Sequence, residues 1–178
     1  GEQLFDSGLS IIDDPLRLRG LGSRAFDGEG LPTSRRAIID KGVLTTWLME
    51  SAAARQLGLS PTGHASRGVS GAPGTSPSNL HLEGGSMSVS ELIADIDYGV
   101  YIHELSGQGV NLVTGDYSRG AAGFLIEKGE ITGPVSEFTI ASTLKEMFRN
   151  LSAANDLEFV RSTNVPTLRV DGMTIASA

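Results

Sequence analysis

His103-Glu104 is the pair of residues whose types most directly suggest chemistry. In the pattern His-Glu-x-x-His, two histidines one helical turn apart hold a zinc ion, and the glutamate between them serves as general base. Here the residue four places on is Gly107 and the next is Gln108, so the second ligand is missing. The run Val100-Tyr101-Ile102-His103-Glu104-Leu105 also has the character of a strand, where a half-exposed histidine needs no ligand. His64 falls in a stretch rich in Pro, Gly and Ser, and His81 sits in the short strand-like run Leu80-His81-Leu82. Neither has a partner at metal-ligand spacing. Asp13-Asp14 is a carboxylate pair, but adjacent residues of an extended chain point to opposite faces. Pro15 turns the chain at that place. Serines are plentiful without a Gly-x-Ser-x-Gly elbow. Gly107-Gln108-Gly109 is only a fragment of a dinucleotide fingerprint, and no phosphate loop is present. The absence of cysteine excludes disulfides, thiolate nucleophiles and Cys-ligated metals within these 178 residues.

One stretch keeps two readings open. Between Gly107 and Gly123 the sequence sets polar, aromatic and charged side chains among glycines. Tight turns between strands are the structural reading. The functional reading is a peptide- or partner-binding edge carrying Asn111, Asp116, Tyr117, Ser118 and Arg119, with Tyr117 and Arg119 as anchors of the kind common at interface hot spots.

The elements that would position these residues are short. Leu9-Ser10-Ile11-Ile12 reads as a strand closed by Asp13-Asp14-Pro15. Ala37–Thr45 reads as a hairpin with a type I turn and a glycine bulge at Gly42. Phe124–Thr132 repeats that pattern around Gly129, and Leu168–Ile175 repeats it more loosely around Gly172. Internal duplication is one reading of the recurrence; the favoured one is that hairpin turn chemistry independently selects these residues. Trp47–Leu57 is expected to be a helix capped by Gly58. Pro61–Asn79 has no periodicity and is expected to be a long loop. Ser88 opens a second helix with Glu91 at the capping-box spacing. Val110–Val113 reads as a strand, Gly115–Gly123 as a glycine-rich loop, and Ala141–Ala153 as a helix on the spacing of Leu144, Met147, Phe148 and Leu151. Together these give a β-rich α+β fold, mostly antiparallel, barrel- or sandwich-like, with about three helices.

Composition bounds the rest. The length suits a single domain over residues 1–178. Fourteen Lys and Arg against 21 Asp and Glu give a net charge of −7. That balance argues against direct nucleic-acid binding. No apolar run is long enough for a membrane helix and no signal peptide opens the chain, so a cytoplasmic location and no membrane partner are expected. The chain starts at Gly1 rather than Met and reads as a piece of something longer or processed.

The run Gly107-x-Gly-Val-Asn-x-Val-Thr-Gly-Asp-Tyr-Ser-Arg-Gly-Ala-Ala-Gly-Phe124 resembles the PmbA/TldE branch of the TldD/PmbA family, whose historical label is modulator of DNA gyrase. Ile126–Ile131 and Pro134–Ala141 continue the likeness. So do Asp13–Pro15 with Gly22–Gly30 upstream, and Asn155–Leu157, Pro166–Leu168 and Asp171–Thr174 downstream. The likeness runs in order through nearly the whole chain, and whole members are two to three times longer, so the C-terminal domain alone is implied. The resemblance implies a cytoplasmic protease system that trims unfolded or modified peptides. In it a TldD-like subunit holds zinc through His-Glu-x-x-x-His and a C-terminal cysteine. Neither is matched here: His103-Glu104 is followed at the fifth place by Gln108, and the cysteine segment reads Glu158-Phe-Val-Arg-Ser-Thr-Asn164. The resemblance therefore implies a non-catalytic subunit with no cofactor in this domain, zinc in the TldD-like partner, association with that partner or with itself as a dimer, and a peptide substrate. Two alternatives stay open: a protease active through a site in an N-terminal region outside this chain, and a gyrase-linked regulator.

Overall fold

Two Lys-Gly dipeptides decide how two of the hairpins turn. In this computed structural model, which describes residues 1–177, Lys41 and Gly42 have φ of 47° and 79°, and Lys128 and Gly129 have 52° and 80°. Two consecutive residues with positive φ make the two-residue turn whose twist matches its flanking strands. The type I turn with a bulge expected at Gly42 is therefore replaced by a tighter connection, with Asp40 opposite Val43 and Glu127 opposite Glu130.

The strands are β1 (Ile11–Asp13), β2 (Arg36–Asp40), β3 (Val43–Leu44), β4 (Ala65–Ser66), β5 (Gly74–Thr75), β6 (Leu80–Leu82) and β7 (Tyr98–Ser106). They continue with β8 (Asp116–Glu127), β9 (Glu130–Thr143), β10 (Leu151–Ala153), β11 (Thr163–Asn164), β12 (Leu168–Val170) and β13 (Thr174–Ser177). The helices are α1 (Ser51–Leu57), α2 (Val89–Ile93) and α3 (Leu144–Arg149). The α+β, mainly antiparallel class holds, and among the described residues no sheet closes into a barrel.

Residue contacts group into two compact units. The first comprises residues 1–3, 7–84 and 157–166. Its five-stranded sheet runs β11-β6-β1-β2-β3, antiparallel except for the β11–β6 pair. Leu9, Ile12, Ile39, Met49, Ala54, Ala65 and Leu82 are buried in this unit. Helix α1 starts at Ser51, later than expected, because the Glu50 carboxylate caps it by accepting from Ala53 N at 2.8 Å. The Pro61–Asn79 stretch is not structureless. β4 pairs with β5 within it, and Thr62, His64, Ser78 and Asn79 are buried.

The second unit comprises residues 4–6, 85–156 and 167–178. Its sheet runs β13-β9-β8-β7, with a separate β10–β12 pair. Ala121, Phe138 and Ile140 form the centre of its core, joined by Val100, Ile102, Tyr117, Val135 and Met173. Phe5 stacks on Phe148 at 4.6 Å. The Ser88 hydroxyl and Glu91 side chain cap α2 reciprocally, as the sequence predicts.

Four expectations in this unit are corrected. Gly115–Gly123 is mostly strand: glycine there lets β7 and β8 approach, since a Cβ on Gly123 would collide with the Tyr101 carbonyl. Val110–Val113 is not a strand, because the Asn111 side chain folds it into a turn. The Ala141–Ala153 helix shrinks to α3. Ala141–Thr143 stay in the ladder with β8, Thr143 caps the helix, and Leu151–Ala153 pair with β12. Long-range strand pairing here overrides a helical spacing of apolar residues. Finally, Leu168–Ile175 is no hairpin, since β12 pairs with β10 and β13 with β9.

Candidate functional site

The five residues singled out between Gly107 and Gly123 occupy the β7–β8 hairpin and do not converge on one point. Asn111 Oδ1 accepts from Val113 N at 2.9 Å and Thr114 N at 3.2 Å. Its backbone N–H donates to the Asp116 carbonyl at 2.9 Å. Asp116 accepts the Thr114 hydroxyl through Oδ2 at 2.6 Å. These two residues shape the turn. Tyr117 packs against the Ala121–Phe138–Ile140 cluster, while Ser118, one residue on, is exposed. The Arg119 guanidinium reaches back across the hairpin to Leu105 O at 3.1 Å and Ser106 O at 3.3 Å. Among the polar residues the turn exposes, two apolar side chains stand almost fully in solvent: Leu112 is 87% exposed and Val113 95%.

A second cluster, which sequence reasoning missed, lies in the first unit. Asp13 and His64 are fully buried, with Nε2 of the imidazole 3.0 Å from Oδ2 of the carboxylate. Ser78 donates twice to the same carboxylate, through its hydroxyl to Oδ2 at 2.7 Å and its backbone N–H to Oδ1 at 2.8 Å. Burial alone would raise the Asp13 pKa, but the hydrogen bonds from His64 and Ser78 outweigh it and hold the carboxyl below its ordinary value. An ionised carboxylate only accepts, so Nε2 carries a proton. On the other side of the ring, Nδ1 lies 2.9 Å from the Thr62 hydroxyl, which also accepts from Met49 N at 2.8 Å. The serine binds the carboxylate rather than the imidazole, so this is not the nucleophile–base–orienter chain of a hydrolase. It is a satisfied polar network that pins Pro61–Asn79 to β1. Sequence separations of 51 and 65 residues between its members left no local signal.

The other histidines bring no ligand set together. His103 is exposed on β7 at an irregularity in the β7–β8 register. His81 is buried, with Nδ1 lacking a hydrogen-bond partner among the described residues, and meets the edge of the Phe159 ring at 5.0 Å. Arg17 covers that ring at 3.4 Å. Around Phe159, Asn164 closes the Glu158–Asn164 segment on itself. Its Oδ1 accepts from Val160 N and Arg161 N, and its Nδ2 donates to Arg161 O. A zinc ion of the kind the resemblance places in a TldD-like relative finds no fit in these donors: one imidazole, an amide already spent, and no thiol. Among the described residues no three His, Cys, Asp or Glu side chains gather to hold a metal.

Fold and hairpin together define a β-rich, antiparallel α+β domain whose polar side chains mainly serve its own turns and core. Residues 1–177 match the PmbA/TldA metallopeptidase C-terminal domain, and the chain belongs to that family. It is 44% identical over 177 residues to the metalloprotease PmbA of Escherichia coli O157:H7, covering 99% of this chain and 37% of that protein. The crystal structure of a Thermotoga maritima protein, described as a candidate modulator of a DNA gyrase, superposes with a TM-score of 0.86 at 36% identity, over 99% of this chain and 41% of that one. Thermococcus kodakarensis TldE superposes with a TM-score of 0.87 at 26% identity, over 99% and 41%. The chain thus spans about two fifths of the length of the relatives it matches.

Proposed function

We propose that this chain is the C-terminal domain of a non-catalytic subunit in a cytoplasmic TldD/TldE-type metalloprotease that trims unfolded or modified peptides. In this reading the zinc belongs to a TldD-like partner, and this domain contributes contacts to that partner or to the peptide. The observation that carries it is the β7–β8 hairpin, which holds Leu112 and Val113 almost fully in water. Exposed neighbouring apolar side chains on an ordered turn are what a protein interface covers. Asn111, Asp116 and Arg119 give the turn its rigidity, so little ordering entropy is lost on docking. β7 is also an edge strand, and an extended peptide can add to such an edge through main-chain hydrogen bonds.

The test is co-purification of the full-length protein with its TldD-like relative, followed by a peptide-cleavage assay. Leu112→Ser combined with Val113→Ser is expected to weaken association at least tenfold without changing the melting temperature, and Tyr117→Ala with Arg119→Ala to weaken it by distorting the hairpin. Association that survives both pairs would overturn the reading. Stoichiometric zinc in the isolated full-length protein would favour a self-sufficient protease instead, and selective recovery of gyrase would favour a regulator.

A further inference from the structure

The loop from Asp14 to Arg24 turns its polar groups inward and its leucines outward. Buried Asn79 holds it from beneath: Oδ1 accepts from Gly22 N at 2.9 Å, and Nδ2 donates to Asp14 O at 2.8 Å and Ser23 Oγ at 2.9 Å. The Ser23 hydroxyl donates to Arg17 O at 2.6 Å, and Arg24 N donates to Pro15 O at 2.9 Å. Gly22 lies so close to the next segment that a Cβ there would collide with the Ser78 carbonyl. Leu16, Leu18 and Leu21 are left 60%, 89% and 77% exposed on a backbone with little freedom to withdraw them. Large apolar side chains held together in water mark an interaction site.

Arginines alternate with those leucines. From Pro15 to Arg24 the chain has Arg17, Arg19 and Arg24 and no acid, although its net charge is −7. Arg24 is drawn inward, where Nη2 donates to Ser76 O at 3.0 Å. Arg17 lies over the Phe159 ring at 3.4 Å, which brings the exposed run Phe159-Val160-Arg161 up to the loop. A guanidinium stacked on a ring still offers its edge N–H groups to a carboxylate. Among the described residues, none of Arg17, Arg19 and Arg161 has a carboxylate partner.

We infer that this face binds an acidic stretch of another polypeptide, one carrying large apolar side chains among its Asp and Glu. Charge complementarity selects the acids, and the leucines with Phe159 and Val160 select the apolar groups. Permanent burial of three unpaired guanidiniums is costly, whereas arginine among apolar side chains suits a contact that forms and releases. A second copy fits poorly: a two-fold contact sets arginines against arginines, and a one-sided contact does not close. Nucleic acid brings charge without aliphatic groups for the leucines to meet. An extended anionic membrane would also face the acid excess of the rest of the chain, which a short segment avoids. This face is independent of the role proposed for the β7–β8 hairpin.

Calorimetric titration of the full-length protein tests it with a capped peptide of three Asp-Leu-Glu-Phe repeats and its Asn-Leu-Gln-Phe counterpart. The acidic peptide is expected to bind about tenfold or more tightly, with the difference shrinking as salt rises from about 0.05 M to about 0.5 M. Arg19→Asn combined with Arg161→Gln is expected to bring the acidic peptide close to its neutral counterpart; asparagine tolerates the Arg19 φ of 59°. Leu18→Ser with Leu21→Ser should weaken both peptides, and Leu112→Ser with Val113→Ser should weaken neither. Equal binding of the two peptides, no binding, or a loss confined to the hairpin pair would overturn the proposal. So would capture of phosphatidylserine vesicles by a protein that ignores the acidic peptide. The comparison of the two peptides uses the unmodified protein, so it decides the matter even where a variant folds poorly.

Discussion

Replacing Asp13 with alanine removes the acceptor of three hydrogen bonds at once. The Ser78 hydroxyl, the Ser78 backbone N–H and His64 Nε2 would all remain buried and lose their partner. Each buried donor left without an acceptor costs about 1–3 kcal/mol, so the three together are a large part of the roughly 5–15 kcal/mol that holds a typical domain folded. Asparagine is expected to cost less, about 1–3 kcal/mol. Its Oδ1 still accepts from Ser78 N, and its amide can donate to Nε2 if the imidazole moves its proton to Nδ1, facing Thr62. The pH dependence separates this account from simple loss of packing. The Asp13 carboxyl has a depressed pKa in the fold. Its contribution is therefore complete above the ordinary aspartate value of about 3.9 and fades as the pH falls below that through the folded value. Denaturant unfolding of the parent protein and Asp13→Asn at pH 7, 5, 4 and 3 should show a stability gap that is constant down to about pH 5 and narrows below about pH 4. Asp27 and Asp156 also have depressed pKa values, because backbone and side-chain donors outweigh their burial, but they titrate equally in both proteins and cancel in the difference. A gap that does not change with pH, or a loss below about 1 kcal/mol for Asp13→Ala, would refute the reasoning.

Gly129→Ala should destabilise more than Gly30→Ala by thermal unfolding. Both residues have φ near 80°, so both pay about 1 kcal/mol or more for the left-handed backbone, but only at Gly129 would the new Cβ meet a carbonyl, that of Ala94, at 2.6 Å. Ser88→Ala should cost about 1 kcal/mol through the lost N-cap of α2, seen as faster hydrogen exchange at Glu91 N, which the Ser88 side chain now accepts. Phe159→Ala should free Arg17 and open the His81 ring to solvent, raising the rate at which His81 reacts with diethyl pyrocarbonate.

Legibility in the sequence followed the range of the deciding interaction. The positions of the Lys-Gly turns (though not their type), the Ser88–Glu91 capping box, the Gly58 cap of α1 and the β1, β6 and β7 strands were readable because each is settled within a few residues. Steric freedom at glycine and side-chain-to-backbone hydrogen bonds act over that distance. The family likeness was readable too, since it rests on residues in order along the chain. The errors fall where a partner far along the chain decided the outcome. Leu144, Met147, Phe148 and Leu151 have helical spacing, yet β12 claims Leu151 and β8 holds Thr143 in its ladder. Gly115–Gly123 looked like a loop until flanking strands on both sides gave those glycines a reason. His64 falls in a Pro- and Gly-rich stretch that reads as a loop, because nothing nearby announces that Asp13, 51 residues earlier, meets it. Composition, turns, caps and kinship were thus determined by the sequence itself. Which polar residues are buried together was decided only by tertiary structure, because burial and long-range pairing depend on where distant segments come to rest.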